Sequence, residues 1–206
     1  MGSVETISRW LRSRFERQPQ SDVLSQSPQA WEAQYAAGKW DYLARLSELS
    51  RYSVLVGYIC HLQPGGVVLD AGCGQGVLLS RLPDFAYSKY VGIDVSETAI
   101  MEARKLEKGP RDFLVTNCEG YDPGEPFDVI VFNEVLYCLR DPLAVVERYT
   151  RSLRADGVVL VSMCTAARGA DAILERLLTE YLPVDQTRVT HGQTGISWDC
   201  AAFRPK

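Results

Sequence analysis

The chain has 206 residues, 46% of them apolar, enough to bury the core of a single domain. Its 22 basic and 26 acidic residues leave a net charge of −4, which argues against a nucleic-acid partner, since such a partner needs a basic face. Cys60, Cys73, Cys118, Cys138, Cys164 and Cys200 form no C-x-x-C pair, so we expect reduced cytosolic thiols, with neither a disulfide framework nor a metal site.

No apolar run is long enough to cross a bilayer and no signal peptide is visible, so the expected setting is cytoplasmic, with no membrane partner. Residues 1–63 read as a helical cap that belongs to the same domain as the rest. An amphipathic segment covers residues 4–17, where Arg9, Arg12, Arg14 and Arg17 alternate with Trp10, Leu11 and Phe15 as the solvated face of a helix. A polar connection runs from Gln18 to Pro28, and a second helical region extends from Gln29 to about Leu62, broken near Gly38. The stretch from Trp31 to Tyr42 is unusually aromatic; Trp40 and Tyr42 either line a site or pack the helices onto a sheet.

Pro64-Gly65-Gly66 ends the cap and opens the core, residues 64–206. Val67-Val68-Leu69-Asp70 reads as a buried strand that breaks at once into Ala71-Gly72-Cys73-Gly74-Gln75-Gly76. A turn without Cβ atoms lets a ligand lie against bare backbone, and helical spacing over 76–82 predicts a helix after it. A dinucleotide fingerprint, G-x-G-x-x-G, would need its third glycine at position 77, which is valine. About twenty residues on, a second strand (90–94) ends in Asp94, where such folds place a carboxylate on ribose hydroxyls. Ser96 reads as the N-cap of a helix over 96–108, stopped by Gly109-Pro110.

Further strands are expected near 113–117, 127–133 and 158–163, with helices near 142–153 and 169–182; Asp141-Pro142 is a cap followed by proline at the first helical position. Strands alternating with helices imply a parallel sheet covered on both faces. The tail departs from this rhythm. Residues 186–191 and 196–203 are strand-like and separated by Gly192-Gln193-Thr194-Gly195, a hairpin that makes one of the two strands antiparallel.

Leu69-Asp70-Ala71-Gly72-Cys73-Gly74-Gln75-Gly76, the strand ending in Asp94, the strand running into Asn117-Cys118-Glu119, the apolar strand ending in Asn133-Glu134, and Leu153-Arg154-Ala155-Asp156-Gly157 before a last apolar strand follow in order over residues 66–163. In this set the chain resembles the class I S-adenosylmethionine (SAM)-dependent methyltransferases, and in its aromatic pre-sheet segment the small bacterial enzymes of the nodulation and tellurite-resistance type. The resemblance implies a Rossmann-like three-layer α/β sandwich: a mostly parallel seven-stranded sheet with an antiparallel last strand and an N-terminal helical cap. It implies SAM as cofactor and S-adenosylhomocysteine as product. The cofactor residues it implies are Asp70, Gly72, Cys73, Gly74 and Gly76, then Asp94 and Val95, Asn117, Cys118 and Glu119, and Asn133. Asn117 departs from the family's aspartate but keeps an amide for an adenine edge. Trp40 and Tyr42 would belong to the acceptor pocket.

Open α/β sheets bind ligands at the carboxyl ends of their strands. The polar groups expected there are Glu134 and Tyr137 after the fourth strand and His191 at the terminal hairpin turn, where an ordinary turn histidine is the alternative. No long insertion follows the fourth strand, so only the N-terminal helices can form a lid, which suits a small-molecule acceptor methylated on a hydroxyl or an amine by a monomer or homodimer. A sugar, glycan or carrier-bound acceptor remains open, as does a non-catalytic SAM-binding regulatory or partner protein.

Overall fold

A computed structural model describes residues 27–106 and 108–206. The expected amphipathic helix over 4–17, with its four arginines, lies outside the described residues, as does most of the polar connection after it.

Seven strands form one sheet in the order β3-β2-β1-β4-β5-β7-β6. They are β1 (Gly66–Ala71), β2 (Tyr87–Asp94), β3 (Arg111–Val115), β4 (Phe127–Asn133), β5 (Leu153–Cys164), β6 (Leu182–Thr190) and β7 (Ser197–Arg204). The pairs β1–β2, β1–β4, β2–β3 and β4–β5 are parallel. β7 runs antiparallel to both β5 and β6, inserted between them. The seven-stranded mixed sheet expected from the tail hairpin is therefore present.

Both faces of the central strands are buried, which explains why they read as continuous apolar runs, whereas the edge strands β3 and β6 are largely exposed. Val68, Val129, Val131, Val158 and Leu160 point to one face, where α2 (Leu49–Leu62) and α3 (Glu97–Arg104) cover them with Leu55, Ile59, Ile100 and Ala103. Leu69, Ile130, Phe132, Val159 and Val161 point to the other, under α4 (Pro142–Thr150) and α5 (Ala170–Glu180) with Val146, Tyr149, Leu174 and Leu177. The expected N-caps are in place: the Ser96 hydroxyl accepts from Ala99 N at 3.1 Å and Asp141 Oδ1 from Ala144 N at 3.1 Å.

Four expectations need correction. The helix over 76–82 is absent, and in its place are turns and a 3₁₀ turn at Leu79–Arg81. Gly76 sits at φ +76° and Pro83 forces Leu82 to an extended ψ of 130°, so too few residues lie between them to nucleate a helix. The third strand ends at Val115, two residues early, which leaves Asn117, Cys118 and Glu119 on the following loop. The helix expected over 96–108 ends at Arg104. The fifth strand begins at Leu153 rather than 158.

The cap, as far as it is described, is α1 (Pro28–Ala36), two 3₁₀ turns at Asp41–Ala44 and Leu46–Glu48, and α2. Gly38, at φ +64°, breaks the helical region where expected. Glu32 of α1 ties the cap to the core. Its carboxylate accepts from the Ser96 hydroxyl at 2.6 Å, from Thr98 N at 3.1 Å and from the Thr98 hydroxyl, all at the N-terminus of α3. These donors hold the Glu32 carboxyl below its ordinary pKa. Asp41 accepts from the Gln75 amide at 3.2 Å, and Arg81 donates to the Ala44 carbonyl at 3.1 Å. Among the described residues no helix is long and apolar enough to cross a membrane.

Candidate active site

A cavity of about 590 Å³ opens at the carboxyl ends of β1, β2, β4 and β5, under the cap. This volume lies within the range of roughly 300–1,000 Å³ usual for small-molecule sites. Its floor is the glycine turn after β1. Gly74 has φ +53°, and a Cβ there would stand 2.7 Å from the Tyr35 hydroxyl, so the close approach of cap to loop needs a residue without a side chain. Gly76 answers a different demand, since a Cβ there would meet Leu106 of the α3 layer at 2.9 Å.

Asp94 stands beside this turn. Its Oδ2 accepts from Gly74 N and its Oδ1 from Ser96 N, both at 2.9 Å. Burial pushes its carboxyl pKa up while these backbone donors pull it down. Each oxygen keeps a lone pair for a further donor, the arrangement required to hold two adjacent hydroxyls. Gly72, Cys73, Gly74, Asp94, Val95, Asn117, Cys118, Glu119 and Asn133 all line the cavity. Asp70 and Gly76 do not; they support the loop from beneath. The Tyr90 hydroxyl donates to Asp70 Oδ2, Oδ1 has no partner, and burial raises the Asp70 pKa from 3.8 to about 7.

The loop after β3 is fixed by its own groups. Asn117 Oδ1 accepts from Glu119 N at 2.9 Å, leaving the amide NH₂ uncommitted to this turn. The Cys118 carbonyl accepts from Arg148 and Tyr149 of α4 at 2.8 and 3.0 Å. Glu119 Oε1 accepts from Arg140 N at 2.9 Å.

Beyond β4 the chain takes an unusual course. Glu134 has φ +63°, the one non-glycine residue with positive φ among those described. That conformation costs on the order of 1–3 kcal/mol and persists only where the surroundings fix it. Here Glu134 N donates to the Ser162 carbonyl at 3.0 Å. The Tyr137 hydroxyl donates to Glu134 Oε2 at 2.8 Å, and the single Ser162 hydroxyl proton is shared between Asn133 Oδ1 at 2.7 Å and Glu134 Oε1 at 3.1 Å. Burial raises the Glu134 pKa, against the opposing effects of Arg51, Tyr137 and Ser162. Glu134 and Tyr137, the two polar groups expected after the fourth strand, both line the cavity and are joined by this hydrogen bond.

His191 is placed differently. Its Nδ1 lies 3.0 Å from the Thr194 hydroxyl and accepts from Thr194 N at 3.3 Å, which staples the β6–β7 turn. From this hairpin it is Ile196 and Trp198 that line the cavity, and His191 does not. Thr194 of the turn itself engages the imidazole through Nδ1.

The sequence reading missed the buried ion cluster of the cap. Arg51, 1% exposed, and Glu48, 4% exposed, pair at 3.4 Å on the cavity wall. The Arg51 guanidinium lies 4.3 Å from the Tyr52 ring centroid and 5.6 Å from that of Trp198. Its Nε and Nη1 have no partner. Burial opposes its charge, but Tyr52, Glu134 and Glu48 hold it firmly protonated. The signal was a lone arginine and glutamate at helical spacing, which in sequence looks the same as a solvated helix face. Trp40 and Tyr42 both line the cavity, with the Trp40 ring 5.5 Å from Trp31, 6.0 Å from Tyr35 and 6.1 Å from Tyr42.

Residues 62–196 match a family described as a methyltransferase domain. Curated relatives include a tRNA U34 carboxymethyltransferase of Campylobacter lari, 30% identical over 54% of this chain and 39% of that protein. A ubiquinone biosynthesis O-methyltransferase of Thiobacillus denitrificans is 35% identical over 62% of this chain and 56% of its own length. The chain therefore spans about half the length of the curated relatives it matches. Among solved structures, the N-methyltransferase NodS from Bradyrhizobium japonicum WM9, in complex with S-adenosylhomocysteine, superposes with a TM-score of 0.74 at 21% identity, over 86% of this chain and 97% of that one. The magnesium protoporphyrin IX methyltransferase ChlM from Synechocystis PCC 6803, with bound SAM, gives 0.68 at 18% identity, over 89% and 99% of the two chains. The chain belongs to the methyltransferase domain family, and its sheet order and glycine turn are those of the class I SAM-dependent members.

Proposed function

We propose that this chain binds SAM and catalyses transfer of its methyl group to a hydroxyl or amine of a small-molecule acceptor. The observation that carries this reading is one cavity shared by two kinds of wall. On one side are the bare backbone at Gly72–Gly74 and the Asp94 carboxylate; on the other are Glu134, Tyr137, Trp198 and the cap aromatics. The first wall fits the adenosyl half of SAM, with Asp94 on the ribose and the loop at Asn117–Glu119 beside the base. The unspent Nε and Nη1 of Arg51 fit a carboxylate such as the one on the methionine half.

When bound, SAM supplies an activated methyl group, so the protein has no reactive species to generate. Its residues orient the acceptor and exclude water, effects worth roughly 7–11 kcal/mol in the best intramolecular cases. The cap supplies the exclusion, because Glu32 and Asp41 hold it against α3 and the glycine turn. Glu134 accepts a proton from the acceptor, and Tyr137 and Ser162 aim its carboxylate. The described chain carries no large elaboration over this site beyond the cap, which supports a small acceptor. Relatives named for action on tRNA and on a ribosomal protein are matched over less than half of their length.

Titration calorimetry with SAM, and separately with NADH, tests the cofactor assignment; binding of NADH in place of SAM would overturn it. Asp94→Ala is expected to weaken SAM binding at least about tenfold, since it deletes a charge-assisted contact and frees the Gly74 N–H. Unchanged affinity with a native melting curve would remove Asp94 from the ribose role.

A further inference from the structure

The inner face of α1 meets the core at two points one helical turn apart. Glu32 fastens to the N-terminus of α3 through Ser96 and Thr98. Tyr35, three residues on, reaches over the glycine turn, where its hydroxyl stands 2.7 Å from the place a Cβ on Gly74 would take. Asp94 lies between these points, bonded to Gly74 N on one side and to Ser96 N on the other. Tyr35 and Asp94 both line the cavity.

The Tyr35 ring packs on Trp40, with centroids 6.0 Å apart, and that contact needs no hydroxyl. The hydroxyl itself has no hydrogen-bond partner among the described residues. Burial, and the Asp94 carboxylate nearby, push the phenol pKa up, so the group stays neutral and keeps a proton to donate. A donor held beside a carboxylate without bonding it suits a ligand that bonds both.

The neighbouring donors are already used. Gly72 N and Cys73 N donate to the Ile93 carbonyl at 2.8 and 2.9 Å, and Gly76 N donates to the Cys73 carbonyl at 3.0 Å. Gly74 N and Ser96 N are held by Asp94 itself. A ribose whose hydroxyls donate to Asp94 brings oxygen lone pairs that these groups cannot meet. The Tyr35 hydroxyl can meet one of them.

We propose that Tyr35 is a cofactor-binding residue that completes the ribose site from the cap side, donating its hydroxyl hydrogen to a ribose oxygen whose own hydrogen goes to Asp94. The inference rests on the SAM reading above. It makes the sugar a joint between core and cap, with Asp94 holding it from the sheet and Tyr35 from α1. Bound cofactor then holds α1 down through its ribose hydroxyls, in addition to the hold that Glu32 exerts on the same helix.

Tyr35→Phe keeps the ring against Trp40 and removes the donor. Calorimetry on the full chain compares two probes, S-adenosylhomocysteine and S-2′,3′-dideoxyadenosylhomocysteine, which lacks both ribose hydroxyls. The substitution is expected to weaken binding of the first at least about fivefold and to leave the second within about twofold of wild type, at an unchanged melting temperature. On the wild-type chain, hydrogen exchange over residues 28–36 is expected to slow with saturating S-adenosylhomocysteine and not with the saturating dideoxy compound. Unchanged affinity of a folded Tyr35→Phe chain for S-adenosylhomocysteine, or an equal loss for the two compounds, would overturn the proposal and leave SAM as the cofactor. Failure of the wild-type chain to bind either compound would overturn both readings. Exchange that slows equally with the two compounds would remove the sugar as the joint to α1, and that wild-type comparison decides even where the variant does not fold.

Discussion

At the scale of single residues, burial holds Glu134 and Asp70 out of their ordinary state for different ends. Glu134 sits on the cavity wall with hydroxyl donors aimed at it, an arrangement suited to exchanging a proton. Asp70 sits beneath the glycine turn with one donor, Tyr90, and one orphaned oxygen, an arrangement suited to structure. Its pKa, raised from 3.8 to about 7, makes a stability prediction with a definite sign. Between those pH values the folded chain holds the Asp70 proton more tightly than the unfolded chain does. Stability therefore falls as pH rises through this window, by about 1.4 kcal/mol for each pH step of one. Below about pH 4 both states are protonated and the penalty vanishes. Asp70→Asn keeps an oxygen for Tyr90 and cannot ionise. Its melting temperature relative to wild type is expected to rise between pH 5 and pH 8, by the equivalent of a few kcal/mol. A difference that stays flat across that range would place the ionisation of Asp70 outside it.

At the scale of elements, α2 packs into the core while α1 is tied to it through Glu32. The carboxylate serves as an extra cap for α3, taking a backbone N–H and two hydroxyls from Ser96 and Thr98. Ser96, whose hydroxyl donates to Glu32, donates its backbone N–H to Asp94, so the latch on the cap and the carboxylate assigned to the ribose share one turn of chain. Glu32→Ala is expected to raise hydrogen exchange over residues 28–44 and to weaken SAM binding several-fold, with exchange in β1 and β4 unchanged. Equal exchange in the cap of variant and wild type would show that the latch carries no load. This element also shows where sequence is informative. The strands, the glycine turn, Asp94 and the Asp141 cap were legible because period, glycine spacing and cap chemistry are local. Glu32, Glu48 and Arg51 were not, because burial of a charge depends on partners far along the chain, and helical spacing alone assigns charges to solvent. The missing helix after Gly76 failed for the opposite reason. Its apolar spacing was real, but Leu78, Leu79 and Leu82 reach the core from a turn.

At the scale of the whole molecule, the cofactor is expected to act as a structural component. Its proposed contacts come from four separate places: the turn after β1, the end of β2, the loop after β3 and the cap. These join only through the sheet and the cap, so an unfolded chain has no such site and binding must stabilise the whole. At a free SAM concentration one hundred times its dissociation constant, the linkage amounts to about 2.7 kcal/mol. A chain of this size shifts its melting temperature by roughly 2–4 °C per kcal/mol, so a rise of about 5–10 °C is expected. S-adenosylhomocysteine should do the same, because the contacts named do not involve the methyl group, whereas NADH should leave the curve unmoved. Scanning fluorimetry at two cofactor concentrations reads the effect directly. A melting temperature that does not respond to either sulfur compound would mean that the cavity at the strand ends does not hold the cofactor, and the roles given to Asp94, Arg51 and Glu134 would fall with it.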